Sequence, residues 1–463
     1  MHNGEHGHSA GQYAAEGLAT HADVARDVLG RYQEITPRYR GWLMALGVLF
    51  ILGIVGVVLR MLDGFDKGAN WGYFTATLSF ILSTFMAMPI ISAGLRLTKA
   101  NWRRSFTRVV ENMAITGVLV TLMVPVALAA LPPLTGRLNI WFDFPLGAPG
   151  VWDFIAYGTL ALTGLGLLWV QAMPDLAAAR DHLPGSSARM GIVRWLAAGW
   201  VGSVRQWRVQ RQAGLALGAV YLLMYPLVQT LMVADFHLGL LPGSKDAIFP
   251  ATQVVYALQS GIGITMLTMF IMRRMGGYTE YFTVEQFWAL SKPMLALAML
   301  WFYFWWASFI SFWYGREPRD VATLQYLFLG SWMIPFFTSL ILNFLGPLVA
   351  LIWNPVRRSV WGPTIVGTSI VLGALINQIR LMVSAAAVPD HTQHVLDPIP
   401  AAQWPGALDL LIVVGGISGC VLAFMLVSKI IPPVSIYEVA EGLRLVKVRR
   451  FLGRTVRVIA KSH

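Results

Sequence analysis

The stretch TIVGTSIVLGALINQIRLMVSAA, residues 364–386, decides the class of this protein. At 1.5 Å of rise per residue it crosses a hydrocarbon layer of roughly 30 Å as one helix. Yet it carries Asn377, Gln378 and Arg380. An arginine at membrane depth is costly, so it should face a protein interior or a wet cavity and have a partner there.

The same apolar signature recurs on both sides of this stretch. The chain has 463 residues, 56% hydrophobic and 13% charged, with a mean hydropathy of +0.60. That is too apolar for an ordinary soluble protein. Runs long enough to span lie at 41–62, 73–97, 110–133, 151–173, 213–236, 248–273, 291–315, 325–353, 361–385 and 407–432. They are continuous rather than alternating, which predicts helices and not barrel strands. The fold class is therefore all-α, a polytopic membrane protein with about ten transmembrane helices. Its expected divisions are a polar N-terminal segment (1–40), a helical membrane domain (41–432) and a basic tail (433–463).

No short apolar core precedes a cleavage site in residues 1–40, so the first span is expected to serve as an uncleaved insertion signal. The lone Cys420 excludes an intrachain disulfide, a CxxC metal site and a cysteine-ligated cluster within this chain. No HExxH, nucleophile elbow, kinase set or phosphate-binding glycine motif is present.

The net charge of +12 is distributed as a topology signal, not as a nucleic-acid footprint. Arg103, Arg104 and Arg108 follow the second run, and Arg189, Arg194, Arg205, Arg208 and Arg211 follow the fourth. Arg273 and Arg274, then Arg357 and Arg358, then the tail complete the series. The intervening loops hold only Lys67, Arg137, Lys245, Arg316 and Arg319. Basic loops stay inside, so both termini are expected in the cytoplasm, with anionic lipid as the partner of this charge.

Topology assigns each polar residue a depth. Arg380 lies about 7 or 8 Å below the outer end of the ninth span. Asp153 opens the fourth span from the outer side, while Asp235 and His237 close the fifth, with Gln229 one to two turns deeper. These residues, with Asn377 and Gln378, form the candidate polar set. Arg380 is expected to pair with Asp153 or Asp235. A polar pocket roofed by apolar helices suits an amphipathic ligand whose ring needs hydrogen bonds and whose tail needs lipid.

Four segments appear in order: APGVWDFIAYGTLALTGLGLLWVQAMPDLAAARD, GWVGSVRQWR, ADFHLGLLPGSKDAIFP and FYFWWASFISFWYG. In these the chain resembles the NrfD/PsrC membrane-subunit family, most nearly the large quinol-binding membrane protein of bacterial alternative complex III. The resemblance runs from about Trp71 to PPVSIYEVAE near Pro432. It implies two four-helix bundles with flanking helices, no haem or iron-sulfur cluster in this chain, and a quinone/quinol (menaquinone or ubiquinone) near the outer face. It also implies an iron-sulfur protein docked on that face, with a multihaem cytochrome and a second NrfD-like membrane subunit as further partners. By resemblance Asp153, in VWDFIAY, accepts a quinol proton, and Asp235 with the following LLPG matches the outer loop motif. Gln229 and Met86 stand where the family has histidines, and Asn377 and Gln378 where it has a Glu-Arg pair.

The resulting expectation is a quinol-interacting subunit of a respiratory or photosynthetic electron-transfer complex in a prokaryotic cytoplasmic membrane. Asp153 would take a proton, and Gln229, Asp235, Asn377, Gln378 and Arg380 would hold the ring. Two other readings stand beside it: a family member that only anchors redox partners, and a transporter with an outward polar vestibule, its spans broken at Pro89, Pro226 or Pro335. The Pro-rich outer segment 386–406 suits a docking surface.

Overall fold

A computed structural model describes residues 21–137, 150–183, 187–451 and 454–459, with side chains to residue 443. Ten helices in it are long and apolar enough to cross a membrane. In chain order spans 1–5 are Pro37–Leu62, Gly68–Leu97, Thr107–Ala129, Gly150–His182 and Val204–Leu238. Spans 6–10 are Phe249–Met275, Val284–Gly315, Met333–Ile352, Trp361–Ala386 and Ala407–Val427. The protein is an all-α, multi-pass membrane protein, as its sequence predicts. The tail adds a helix at Ile436–Leu445 and an antiparallel ribbon of Val446–Phe451 with Arg454–Ile459.

Spans 2–5 pack on one another, as do spans 6–9, and the two groups meet where span 2 touches spans 6 and 9 and span 5 touches span 6. Spans 1 and 10 form a pair against span 2. Gly53 and Gly415 make that pair possible: a Cβ on either would collide with the other's Cα. Small residues allow such approach in lipid, where burial of apolar surface gives helices no reason to associate. Arg60 and Asp409 join the pair at 2.5 Å, at the end away from the basic loops.

Several elements depart from the apolar runs for local reasons. Span 5 begins nine residues before its run because Ser203 and Gln206 cap it reciprocally, at 3.3 and 3.2 Å. Span 2 breaks at Phe85–Ala87, ahead of Pro89. The Tyr225 hydroxyl donates to the Leu82 carbonyl at 2.9 Å and that of Tyr221 to Met86 at 2.7 Å, satisfying backbone at the break. The expected run 325–353 is divided: a π-turn at Gln325–Leu329 ends where Gly330 leaves helical backbone, and span 8 starts at Met333. Pro335 fits its first turn, where a missing N–H costs nothing.

Charge at the basic-loop end is organised by burial. Arg108 contacts Glu111 at 3.0 Å and Asp175 at 2.8 Å. Arg96 bridges Glu111 at 2.7 Å and Glu438 at 2.6 Å, and Arg103 reaches Glu438 at 2.8 Å. Three guanidinium groups thus meet three carboxylates, and the Ile436–Leu445 helix is held against spans 2–4.

Candidate functional site

At the opposite end, three chain segments converge. Asp153 sits in the first turn of span 4 and is fully buried. Asp235 lies in a π-turn, Ala234–Leu238, that ends span 5. A π-turn inserts one residue into the helical register and re-aims the side chains that follow it. Arg137 arrives from the loop after span 3. Its Nη1 donates to the Asp235 carbonyl at 3.0 Å and lies 3.4 Å from Asp235 Oδ1.

Arg137 is held by the loop between spans 9 and 10. Its backbone bridges in parallel with His391, whose Nδ1 lies 2.8 Å from the Leu240 carbonyl. That contact makes Nδ1 the protonated ring nitrogen and leaves Nε2 as an acceptor. Burial pulls the His391 imidazole below its usual range, so it is neutral near pH 7. Burial likewise lowers Arg137, while the charges of Asp235 and then Asp153 oppose that effect.

The Asp153 carboxyl stands beside that of Asp235 and within the field of Arg137. Among the described residues no donor reaches either oxygen of Asp153, and neither amide atom of Gln229 has a partner. Gln229 lies six residues before Asp235 on span 5, about 9 Å deeper at helical rise. Buried polar groups are normally satisfied, so orphaned ones ask for a ligand or water. A narrow apolar recess walled by Trp71, Leu131, Phe236, Leu240 and His391 adjoins the cluster through Phe236, the residue after Asp235, and His391, the backbone partner of Arg137. Two carboxyls facing one guanidinium next to an apolar recess are suited to exchange a proton and orient a polar ring.

The six residues proposed from sequence do not form one set. Asp153, Asp235 and Gln229 belong to the bundle of spans 2–5. Gln378 is consumed in the seam: its Oε1 accepts from Ser79 at 2.8 Å, and its Nε2 donates to Ser83 and Gln253, both at 3.3 Å. Arg380 turns the other way, because two residues of helix rotate a side chain by about 200°. Its Nη2 donates to Asn377 Oδ1 at 2.9 Å and its Nη1 to the Leu327 carbonyl at 3.3 Å. The rings of Phe328 and Phe336 stand 5.3 and 5.4 Å away.

The expected ion pair of Arg380 with Asp153 or Asp235 is therefore absent, and among the described residues no carboxylate is in ion-pair reach of Arg380. Arg137 fills the place instead. Neither Arg137 nor His391 stood out in the sequence, since both lie outside every apolar run. The one signal was rarity, Arg137 being among the few basic residues of the outer loops. His237 is also buried here, its Nδ1 3.0 Å from the Leu381 carbonyl and its ring stacked on Phe249. Comparison of the chain with protein-family models and with curated proteins gave no match.

Proposed function

We propose that this chain is the quinol-interacting membrane subunit of a multisubunit redox complex, of the NrfD/PsrC type that its sequence resembles. The observation that carries this reading is the fully buried Asp153 carboxyl, with no donor on either oxygen among the described residues, beside Asp235 and Arg137 at the end of spans 4 and 5 away from the basic loops. A quinol supplies two electrons and two protons when it is oxidised. Asp153 accepts a proton from a ring hydroxyl, and Arg137 fixes Asp235 so that the charge beside Asp153 stays in place. His391 offers a second acceptor at the recess, and Gln229 can donate to a ring oxygen from below.

Electrons leave toward an iron-sulfur partner on the outer face, against which the 386–406 loop packs. The proposed complex also contains a multihaem cytochrome and a second NrfD-like membrane protein. The lone Cys420 is buried in span 10, so cluster ligation falls to the partner.

The test is quinol-dependent reduction of an artificial acceptor by the whole complex. Asp153→Asn keeps shape and removes the base, so assembly should persist while turnover falls by about 10² or more. Unchanged turnover in an assembled Asp153→Asn complex would sink the reading and favour a purely anchoring role.

A further inference from the structure

A second polar cleft lies in the other bundle and is not used by the proposed quinol site. It opens between spans 6, 7 and 9 and the Gln325–Leu329 turn and has Arg380 and Asn377 in its wall. Arg380 is only 4% exposed. Its direct contacts are neutral acceptors and ring faces, and its Nε has no partner among the described residues. Two further donors on the cleft wall, Trp305 Nε1 and Ser308 Oγ, are also without partners there. Phe309 and Phe312 line the rest of the span 7 side. Asp246 also lines the cleft, where its Oδ1 accepts from the Ile248 backbone at 2.9 Å.

We infer that this cleft binds the phosphate of a membrane phospholipid. A buried guanidinium with no carboxylate in ion-pair reach among the described residues calls for an anion, and the planar fork of arginine matches phosphate oxygens in two hydrogen bonds. A neutral carbonyl compound would accept from these donors but leave the charge uncompensated. Span 7 is sparsely covered, with 11% of its apolar window buried, so the cleft is reached from the side by a molecule already in the lipid layer. The phosphate sits on Arg380, with Trp305 and Ser308 donating from span 7. The acyl chains run along Phe309 and Phe312, where aromatic faces meet hydrocarbon.

The test uses the full chain in mild detergent after lipid removal, with dihexanoyl phosphatidylglycerol as probe and tryptophan emission as readout. Saturable binding is expected, and Arg380→Gln should weaken it by about tenfold or more. Ser308→Ala and Trp305→Phe, which preserve shape, should weaken it by smaller factors. Inorganic phosphate should not displace the probe, because it cannot use the apolar wall. Equal binding by wild type and Arg380→Gln overturns the inference, as does full displacement by inorganic phosphate or by a short-chain quinone. Asp153→Asn should slow quinol turnover without changing lipid binding, so failure of either proposal is distinguishable from failure of the other.

Discussion

Arg137 Nη1 and Asp235 Oδ1 lie 3.4 Å apart, with both side chains 1% exposed, and this contact ties the loop after span 3 to the end of span 5. The same guanidinium nitrogen also holds the Asp235 carbonyl. A cation that serves both backbone and side chain fixes the π-turn as well as the charge, and through the turn it fixes where Asp235 points.

Breaking that contact should be expensive. Arg137→Gln removes a buried cation that contacts Asp235 and lies in the field of Asp153, and loss of one partner of a buried pair costs about 3 to 5 kcal/mol. Thermal melting of the purified protein should show a marked fall, with a smaller loss in the double variant Arg137→Gln, Asp235→Asn. A melting point unchanged by Arg137→Gln alone would show that the contact contributes nothing to the fold.

Arg380 should behave in the opposite way. No carboxylate among the described residues is stranded when it is removed, and the desolvation cost of its own charge disappears. In lipid-free detergent, Arg380→Met is expected to change stability by no more than about 1 kcal/mol, or to raise it. A loss as large as that of Arg137→Gln would reveal a charge partner that the described residues do not contain.

Glu438 should make the docked tail acid-sensitive. Burial alone would raise its carboxyl, but Arg96, Arg103 and Arg108 hold it well below the ordinary value of 4.5. A depressed carboxyl contributes stability that is complete above its unfolded value and is lost as pH falls through the folded one. Limited proteolysis should therefore cut near Ile436–Leu445 only when the pH drops below about 4.5, whereas Glu438→Gln should expose the site at neutral pH. Protection of the Glu438→Gln tail at neutral pH would contradict this.

Sidedness is open to direct labelling. A cysteine at Arg194 should react only with membrane-permeant reagents, and one at Thr392 with impermeant reagents added outside, after Cys420 is replaced by Ala. Opposite labelling would reverse every depth assigned here, and with it the outer-face placement of Asp153.

The sequence by itself determined the class, the number of spans and the separation of a charged end from the opposite, polar end. Those properties follow from run length and from the cost of charge in hydrocarbon, which act locally along the chain. It also singled out Asp153 and Asp235, because acids near the ends of apolar runs are conspicuous. Tertiary structure alone decided the partners. Gln378 and Arg380 differ by two positions, and the helical turn between them sends one into the seam and the other into the spans 6–9 bundle. Arg137 and His391 are 254 residues apart and meet because two outer loops bridge at their backbones. Periodicity reports which face a residue occupies on its own helix, but the neighbour against that face is set by how the helices pack.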